Sequence, residues 1–333
     1  MHPVTTTDDL SVQLLYGMKR IRLVEEYIAA RYSEGKMRCP THLSIGQEAA
    51  AIGVGLALNH SDLAVSTHRA HAHYLAKGGD LQAMIAEIYG KAAGCSRGRG
   101  GSMHLIDTKV GFMGSTAIVG NSIPVGVGLA LSLQLRKSSA VSVIFCGDGS
   151  IEEGVFYESA NFAAVRKLPV LFVCENNLYS VYSHLRVRQP EGRKIYKMVE
   201  ALGVPSTLVD GNNPQAVHQA AETAITRIRK GSGPLFLELS TYRWREHCGP
   251  NYDNDIGYRT EEEFQLWKNK DPILRFEQNL LAEGVLTIST LKRMEYELKD
   301  EIQAAFNFAE NAPYPGPQEA FQGIFAEMAL THD

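Results

Sequence analysis

The chain has 333 residues, of which 44% are hydrophobic and 21% are charged, values typical of a globular protein with a substantial core. Its formal net charge of -4 provides no basic surface, so we expect no nucleic-acid partner. No apolar run approaches the ~20 residues that a membrane span requires, so we expect no membrane association either.

The cysteines and the N-terminal residues bear on the cellular compartment. Five cysteines are scattered along the chain and form no CxxC pair. Cys146 and Cys174 lie in apolar runs and are predicted to be buried thiols. The N-terminal residues have no basic start followed by an apolar stretch, so no signal peptide is predicted. Together these features predict a cytoplasmic protein with reduced thiols.

The first third of the chain is predicted to be helical. Apolar residues recur at helical spacing over Asp9–Tyr32 and again over Gly46–Leu58. The segment from Gly90 to Gly128 differs because glycines crowd it. So many glycines indicate a backbone that turns sharply or passes close to another group. Apolar residues between them, such as Met103, argue against a loose surface loop.

The second half of the chain alternates between short strands and helices. The predicted strands are 140–146, 168–174, 206–209 and 234–239, and the predicted helices among them are 152–166 and 214–230. Near-continuous apolar strands separated by helices indicate an α/β fold, a parallel sheet with helices on both faces. From Thr260 onward the chain is predicted to be mostly helical, and it ends in a proline-rich stretch at Pro313 to Pro317.

Two polar segments each follow a predicted strand. GDGSIEEG begins at Gly147, and CENNLYS begins at Cys174. Twenty-five residues separate Gly149 from Glu175, enough for one crossover helix and one return strand. In a parallel sheet both segments therefore finish at the same carboxyl edge, where open α/β sheets bind ligands.

These two segments contain the oxygen donors that Mg²⁺ prefers in near-octahedral sites shared with phosphates. Asp148 offers a carboxylate, Asn177 an amide oxygen, and the loop after it a backbone carbonyl. Gly147 and Gly149 allow the backbone to approach a diphosphate, and we expect the following helix to point its N-terminal amides at that anion. A lone GDG is only a turn signal. Its pairing with NN at this separation is the pattern of thiamine diphosphate enzymes.

The surrounding residues resemble the alpha subunit of the decarboxylating component of 2-oxo acid dehydrogenases, of the pyruvate, branched-chain and acetoin type. The motifs that carry the resemblance are THLSIGQEAA, HRAHAHYLAKG, GCSRGRGGSMH, IVGNSIPVGVGLAL, GDGSIEEGVFYESANF, ENNLYSV and GYRTEEEF. The similarity extends from the N-terminal helices to about residue 275. It implies a single thiamine diphosphate domain of the diphosphate-binding type over 1–333, with N-terminal helices over 1–60 and a helical C-terminal tail over 260–333.

The resemblance also implies roles for individual residues. Asp148, Asn177 and the backbone carbonyl of Tyr179 would hold Mg²⁺. The residues that would contact thiamine diphosphate are His42, His68, Arg69, Ala117, Val119, Asp148, Gly149, Ser150, Asn177 and His247. Among these, Arg69 would face the diphosphate. His247 matches a histidine on a mobile loop near the reacting centre, and His247 and His71 are the candidate catalytic residues. For His42 and His71 a role as a hydrogen-bonded core histidine stays open.

Two features depart from the family pattern. His68 stands where the family usually has tyrosine. In the loop of residues 243–255, Glu246 and Cys248 replace a glycine and a serine, so regulation by phosphorylation is not expected there and the substrate is not identified. The loop is rich in glycine, asparagine and charge with little to bury, and we expect it to be mobile without cofactor.

The expected function is Mg²⁺-dependent decarboxylation of a 2-oxo acid, with transfer of the acyl unit to a lipoyl group on an acyltransferase partner. In two-chain members the glutamate beside the aminopyrimidine lies on the beta subunit. The sequence offers no candidate for that glutamate, so a beta-type subunit and an α2β2 heterotetramer are expected.

Three alternative functions differ from this one in cofactor, acceptor or activity. An acyl or ketol transferase would use the same cofactor with an aldehyde, ketone or sugar acceptor. A nicotinamide-binding protein is disfavoured because Gly126 and Gly128 follow no predicted strand and no full GxGxxG is present. A non-catalytic paralogue is disfavoured because both proposed metal ligands are retained.

Overall fold

A six-stranded parallel sheet forms the centre of the computed structural model, which describes residues 9–37 and 39–322. The strands are β1 Leu63–Ser66, β2 Phe112–Ser115, β3 Ser142–Gly147, β4 Val170–Asn176, β5 Tyr179–Ser180, β6 Ser183–His184, β7 Ser206–Asp210 and β8 Leu235–Ser240. The sheet has the order β2-β1-β3-β4-β8-β7 with every pair parallel, and β5 and β6 form a separate antiparallel hairpin.

Helices surround this sheet. They are α1 Leu10–Arg31, α2 Glu48–Gly55, α3 His71–Ala76, α4 Leu81–Ile88, α5 Ser122–Leu135, α6 Gly154–Arg166, α7 Leu185–Arg188, α8 Ile195–Ala201, α9 Pro214–Arg229, α10 Glu261–Lys268, α11 Pro272–Ala282 and α12 Ile288–Asn311. Side-chain caps fix several of their starts. The Asp9 carboxylate accepts from the backbone N–H of Ser11 at 2.8 Å, and Asn213 caps α9 ahead of a proline at its first position.

The central strands β3, β4 and β8 are buried on both faces, whereas the edge strand β7 is largely exposed. Val143 and Phe145 belong to one hydrophobic cluster, while Ile144 and Cys146 belong to the other. Side chains on a strand alternate between faces, so a strand between two helical layers needs apolar residues at every position. Buried residues of α1, α2, α4, α9 and α12 complete the first cluster, and those of α5, α6 and α8 complete the second. The prediction of helices on both faces is confirmed.

The predicted strands correspond to β3, β4, β7 and β8, with ends displaced by no more than two residues. The helix predicted over 152–166 corresponds to α6, which begins two residues later at Gly154, after a 3-10 turn over Asp148–Glu152. β1 and β2 were not predicted, since β1 lies in the part of the chain predicted to be helical and β2 in the glycine-rich segment. Gly126 and Gly128 lie inside α5, and residues 116–121 separate that helix from β2, so neither glycine directly follows a strand.

The C-terminal region is helical as predicted up to Asn311. The proline-rich stretch returns to the body of the chain, where the carbonyl of Pro313 accepts from the N–H of Ala92 at 3.0 Å. Lys91 lies 4.0 Å from the ring centroid of Tyr314. Residues 1–8 and 323–333 of the predicted N-terminal and C-terminal segments lie outside the described residues, and the assignment of the whole chain to one domain stays a prediction. No helix within the described ranges is long and apolar enough to cross a membrane.

Two glycines of α5 occupy contrasting positions. A Cβ on Gly126 would lie 2.3 Å from Cγ1 of Ile144, whereas a Cβ on Gly128 would have no heavy atom within 4 Å. Gly126 thus allows α5 to pack closely on the sheet, and Gly128 lies on the outer face of the same helix.

This contrast predicts opposite effects of one substitution. Gly126→Ala should lower the free energy of unfolding by about 1–2 kcal/mol, because overpacking against Ile144 outweighs the gain in helix propensity. Gly128→Ala should raise it by up to about 1 kcal/mol through propensity alone. Urea denaturation of both variants measures the difference. Equal effects would contradict the packing described here.

Candidate active site

A cleft opens where β3 and β4 end side by side, with Gly147 paired in register with Glu175. The predicted site residues that line it are His42, His68, Arg69, Ala117, Val119, Asp148, Gly149, Ser150, Asn177, Tyr179 and His247. They come from distant parts of the chain, and the fold brings them together at one edge of the sheet, as the topology of a parallel sheet predicts.

Asp148 lies at the base of this cleft with 1% of its surface exposed. It forms an ion pair with Arg188, whose guanidinium also contacts Glu152 at 2.5 Å and donates to the carbonyl of Ser183 at 3.0 Å. Burial raises the pKa of Asp148, while the charge and hydrogen bond of Arg188 act in the opposite direction. The buried carboxylate is therefore held beside a cation in this structure.

Asn177 is held by hydrogen bonds on both ends of its amide. Its oxygen accepts from the N–H of Tyr179 at 3.1 Å, and its nitrogen donates to Gln47 Oε1 at 3.1 Å. The turn between them places Leu178 at a φ of +73°, a conformation that is unfavourable for leucine. Asn176 supports the turn by accepting from the N–H of Leu178. The side chain of Asn177 is thus fixed at the end of β4.

Glu175 also lines the cleft, and both of its oxygens are engaged. One lies 3.0 Å from Nε2 of His73, and the other accepts from Nε2 of Gln47 at 3.0 Å. His73 in turn lies 2.8 Å from Oγ of Ser66 and stacks on Phe145. This chain of contacts connects the ends of β1 and β4.

Sequence analysis assigned no role to Gln47, His73 or Glu175. Gln47 bridges Glu175 and Asn177, so its amide orients the proposed metal ligand. Glu175 directly precedes the NN pair in the sequence, and this position could have identified it as a site residue. His73 gave none, because a histidine on a short buried helix carries no pattern that separates a core role from a role at a site.

Three histidines that line the cleft lie close together. The ring centroids of His42 and His68 are 4.6 Å apart. The ring centroid of His247 lies 5.0 Å from that of His42 and 5.3 Å from that of His68. Burial lowers the pKa of His42 to about 2 and the pKa values of His68 and His247 to about 3 each, and the charge of Arg69 adds to the effect. All three imidazoles are therefore neutral at physiological pH.

Arg69 is buried next to His247. It donates to the carbonyl of Leu43 at 2.6 Å and to the carbonyl of His247 at 3.1 Å. Burial, with the charge of Arg243, lowers the pKa of Arg69 to about 9, so it stays cationic at neutral pH. Arg69 thus places a positive charge at the cleft, as required of a residue that faces a diphosphate.

The loop of residues 243–255 is anchored in this structure. Trp244 is buried with Arg243, the N–H of Gly249 donates to the carbonyl of Thr41 at 2.8 Å, and Asp253 is ion-paired with Arg259. The premise that the loop has little to bury is therefore wrong. Its mobility without cofactor stays a prediction.

His71 lies apart from the other predicted residues and does not line the cleft. It is fully buried, with Nδ1 3.1 Å from Glu25 Oε1 and Nε2 2.7 Å from Ser102 Oγ. These surroundings are those of the hydrogen-bonded core histidine that sequence analysis had left open. The position of His71 does not favour the catalytic role expected for it.

The glycines at the end of β3 serve different purposes. A Cβ on Gly149 would lie 2.6 Å from Oγ of Ser180, so glycine permits the close approach of the β5–β6 hairpin. A Cβ on Gly147 would have no heavy atom within 4 Å, which leaves room for a ligand there. Ser150 is buried in the 3-10 turn, and Val119 is half exposed. Gly147 therefore leaves space at the end of β3, whereas Gly149 lets the hairpin pack close to it.

Comparison with known proteins agrees with these observations. A family model described as dehydrogenase E1 component matches residues 16–318. The alpha-3 subunit of the chloroplastic pyruvate dehydrogenase E1 component of Oryza sativa is 36% identical, over 98% of this chain and 78% of its own length. The alpha subunit of acetoin:2,6-dichlorophenolindophenol oxidoreductase of Bacillus subtilis is 36% identical, over 97% of this chain and 95% of its own.

A third relative extends the agreement to another group of bacteria. The pyruvate dehydrogenase E1 component subunit alpha of Zymomonas mobilis is 37% identical, over 92% of this chain and 86% of its own length. The family model covers most of the chain, and the relatives are aligned along nearly all of it. The chain therefore belongs to the dehydrogenase E1 component family.

Proposed function

We propose that this chain is the alpha subunit of a thiamine diphosphate- and Mg²⁺-dependent enzyme that decarboxylates a 2-oxo acid. The observation that carries the proposal is the convergence of Asp148 and Asn177, from two parallel strand ends, on a cleft that also contains Arg69. The relatives named as alpha subunits of the pyruvate dehydrogenase E1 component support it, because pyruvate is a 2-oxo acid.

The residues of the cleft fit such a cofactor. Mg²⁺ would take the Asp148 carboxylate, the Asn177 amide oxygen and the backbone carbonyl of Tyr179, all oxygen donors of the kind it prefers. Gly147 leaves room for a diphosphate, and Arg69 supplies a compensating positive charge. Bound thiamine diphosphate supplies the carbanion chemistry that decarboxylation of a 2-oxo acid requires.

The residues of this chain would orient the substrate and hold the metal ligands in place. The neutral imidazoles of His68 and His247 can donate hydrogen bonds to substrate oxygens without adding a charge. Arg69 keeps His247 in place through its backbone carbonyl. Gln47 and Glu175 fix the amide of Asn177, so the metal ligands are pre-organised.

The site needs a second chain. Asp148 and Glu175, the carboxylates among the described residues that line the cleft, are already engaged with Arg188 and His73. Neither is free to relay a proton to the cofactor ring. We propose that a beta-type subunit supplies this glutamate and the aminopyrimidine side of the site, in an α2β2 heterotetramer.

An exposed apolar face suits that partner. Val125 and Leu135 of α5 are exposed, and so are Phe162 and Val165 of the adjacent helix α6. Gly128 lies on the same outer face of α5. Exposed apolar residues on two neighbouring helices are typical of interfaces with other chains. Close packing through glycine thus serves the sheet at Gly126 and would serve the partner at Gly128.

The acyl acceptor separates two versions of the function. A dehydrogenase component passes the acyl unit to a lipoyl group of an acyltransferase partner, whereas an acyl or ketol transferase passes it to an aldehyde, ketone or sugar. Glu246 and Cys248, in the loop beside the cleft, depart from the family pattern. Because of this departure, the acyl or ketol transferase is the second candidate function. Assays with lipoamide and with a panel of aldehydes separate them.

A cytoplasmic location stays a prediction.

The assignment of Asp148 and Asn177 as Mg²⁺ ligands predicts which substitutions weaken cofactor binding. Asp148→Asn and Asn177→Ala should each weaken Mg²⁺-dependent binding of thiamine diphosphate by at least about tenfold, because each removes a ligand from a cation that tolerates little distortion. Calorimetric titration measures the affinity. Asp300→Asn, on an exposed position of α12, is the matched control and should bind as the wild type does. Wild-type affinity in both test variants would refute the assignment.

The catalytic assignment of His247 predicts a split between turnover and affinity. His247→Ala should lower kcat by at least about a hundredfold, within the usual range for a group that acts on the reacting centre. Affinity for thiamine diphosphate should change far less. His60→Ala, an exposed histidine, is the control. Equal losses in both quantities would mean that His247 only shapes the cofactor site.

The incomplete site predicts that the isolated chain releases no carbon dioxide from any 2-oxo acid and gains activity with its beta-type subunit. Val165→Asp should weaken that complex, because it places a charge on the apolar face of α6, where Val165 is 73% exposed. Leu266→Asp on α10, where Leu266 is 64% exposed, should not. Sedimentation of the mixed subunits reports assembly. Turnover by the chain alone would refute the proposal.

A further inference from the structure

The motif GYRTEEEF, one of those that carry the family resemblance, contains a carboxylate that the proposed function does not use. Glu263 lies in the first turn of α10, and its Oε1 accepts hydrogen bonds from the hydroxyls of Tyr179 at 2.7 Å and Tyr242 at 2.9 Å. We propose that Glu263 is a positioning residue: by holding the side chain of Tyr179, it fixes the backbone carbonyl of that tyrosine for Mg²⁺. This role rests on the proposed function and adds a residue to it.

The turn that carries this carbonyl needs an anchor. Leu178 has a φ of +73° and Val181 a φ of +54°, so residues with an unfavourable backbone conformation lie on either side of Tyr179. Such conformations persist only where the surrounding structure holds them. The β5–β6 hairpin has two residues in each strand, and a hairpin of this kind provides little stability of its own. Side-chain contacts must therefore hold the turn.

The side chain of Tyr179 provides such contacts. The residue is 6% exposed, and its ring lies edge-on to the rings of His184 and Tyr258, with centroids 4.9 Å and 5.3 Å away. Burial, together with the hydrogen bond to Glu263, raises the pKa of Tyr179, so the phenol stays protonated and donates. A hydrogen bond from a hydroxyl to a carboxylate is stronger than one between neutral groups. The bond to Glu263 therefore fixes the far end of this side chain.

Glu263 is itself held in place from two directions. Its backbone N–H donates to Oγ1 of Thr260, the N-cap of α10, at 3.1 Å, and the next residue, Phe264, is buried. Tyr242, which donates to the same carboxylate oxygen, stacks on Trp267 of α10 with ring centroids 5.3 Å apart. Since Tyr242 follows the carboxyl end of β8, the carboxylate connects the turn after β4 to the end of a second strand. Glu263 is thus a fixed point for the turn.

A carboxylate near a cation site can act through its charge or through the hydrogen bonds that it accepts. Glutamine separates the two effects, because it keeps an oxygen acceptor and removes the charge. Glu262 is the matched control for charge, since it is an exposed neighbour on the same helix.

The test is calorimetric titration of the full chain with thiamine diphosphate and Mg²⁺. Glu263→Ala and Tyr179→Phe should each weaken Mg²⁺-dependent binding by at least about tenfold, the usual effect of removing a group that orients a metal ligand. Glu263→Gln should restore most of the affinity, and Glu262→Gln should bind as the wild type does. Wild-type affinity in Glu263→Ala and Tyr179→Phe would overturn the proposal. Equal losses in Glu263→Gln and Glu263→Ala would also overturn it, because the charge would then be responsible.

The second tyrosine provides an internal comparison. Tyr242→Phe removes the other donor to Glu263 and leaves the bond to Tyr179 intact, so it should weaken binding less than Tyr179→Phe does. Equal effects of the two substitutions would mean that the whole region responds, and not the turn that carries the carbonyl, and would overturn the proposal.

A further measurement requires neither Mg²⁺ nor thiamine diphosphate. Backbone amides of residues 177–184 should exchange with solvent faster in Glu263→Ala and Tyr179→Phe than in the wild type or Glu262→Gln, because the turn loses its anchor. Unchanged exchange in both variants would overturn the positioning role. Asp148→Asn distinguishes this role from the proposed function. If Asp148→Asn weakens cofactor binding and Glu263→Ala does not, only the positioning role fails.

Discussion

The parallel direction of all six strands is the constraint on which the rest of this structure depends. Parallel strands require a crossover between each pair, and the helices of those crossovers cover both faces of the sheet. Both faces are then closed to ligands, and the strand ends remain. The polar groups that follow β3 and β4 meet at one edge because no other arrangement of these two crossover-linked strands is available. The position of the cleft is thus a consequence of topology.

Burial of charge at that edge divides the cleft into two electrostatic halves. Asp148 and Glu175 lie on one side, each matched by a basic group or an amide. Arg69 lies on the other side among imidazoles that burial keeps neutral. A buried carboxylate without a partner would be severely destabilising. The network that satisfies these carboxylates also fixes their positions, so stability of the fold and pre-organisation of the site have the same origin.

Much of this arrangement could be predicted from the sequence, and what could not has a physical reason. The GDG and NN segments were placed correctly because strand, crossover and return strand are local patterns with a fixed outcome. β1 and β2 escaped notice because they lie outside the alternation of strands and helices by which β3, β4, β7 and β8 were predicted. Gln47 and His73 escaped because their partners come from distant segments. The sequence also could not separate His71 from His42, because the two differ only in their surroundings. His71 has two hydrogen bonds in the core, whereas His42 has an unsatisfied nitrogen at the cleft.

The ion pair between Arg188 and Asp148 has a thermodynamic consequence. The same carboxylate serves the segment that carries Arg188 and any cation that enters the cleft. Occupancy of the cleft and the position of this segment are therefore linked equilibria. Linkage is reciprocal: the factor by which an attached segment weakens cation binding is the factor by which a bound cation loosens the segment. The hairpin of β5 and β6, which supplies the carbonyl of Ser183 to Arg188, would report occupancy of the cleft at the surface of the protein.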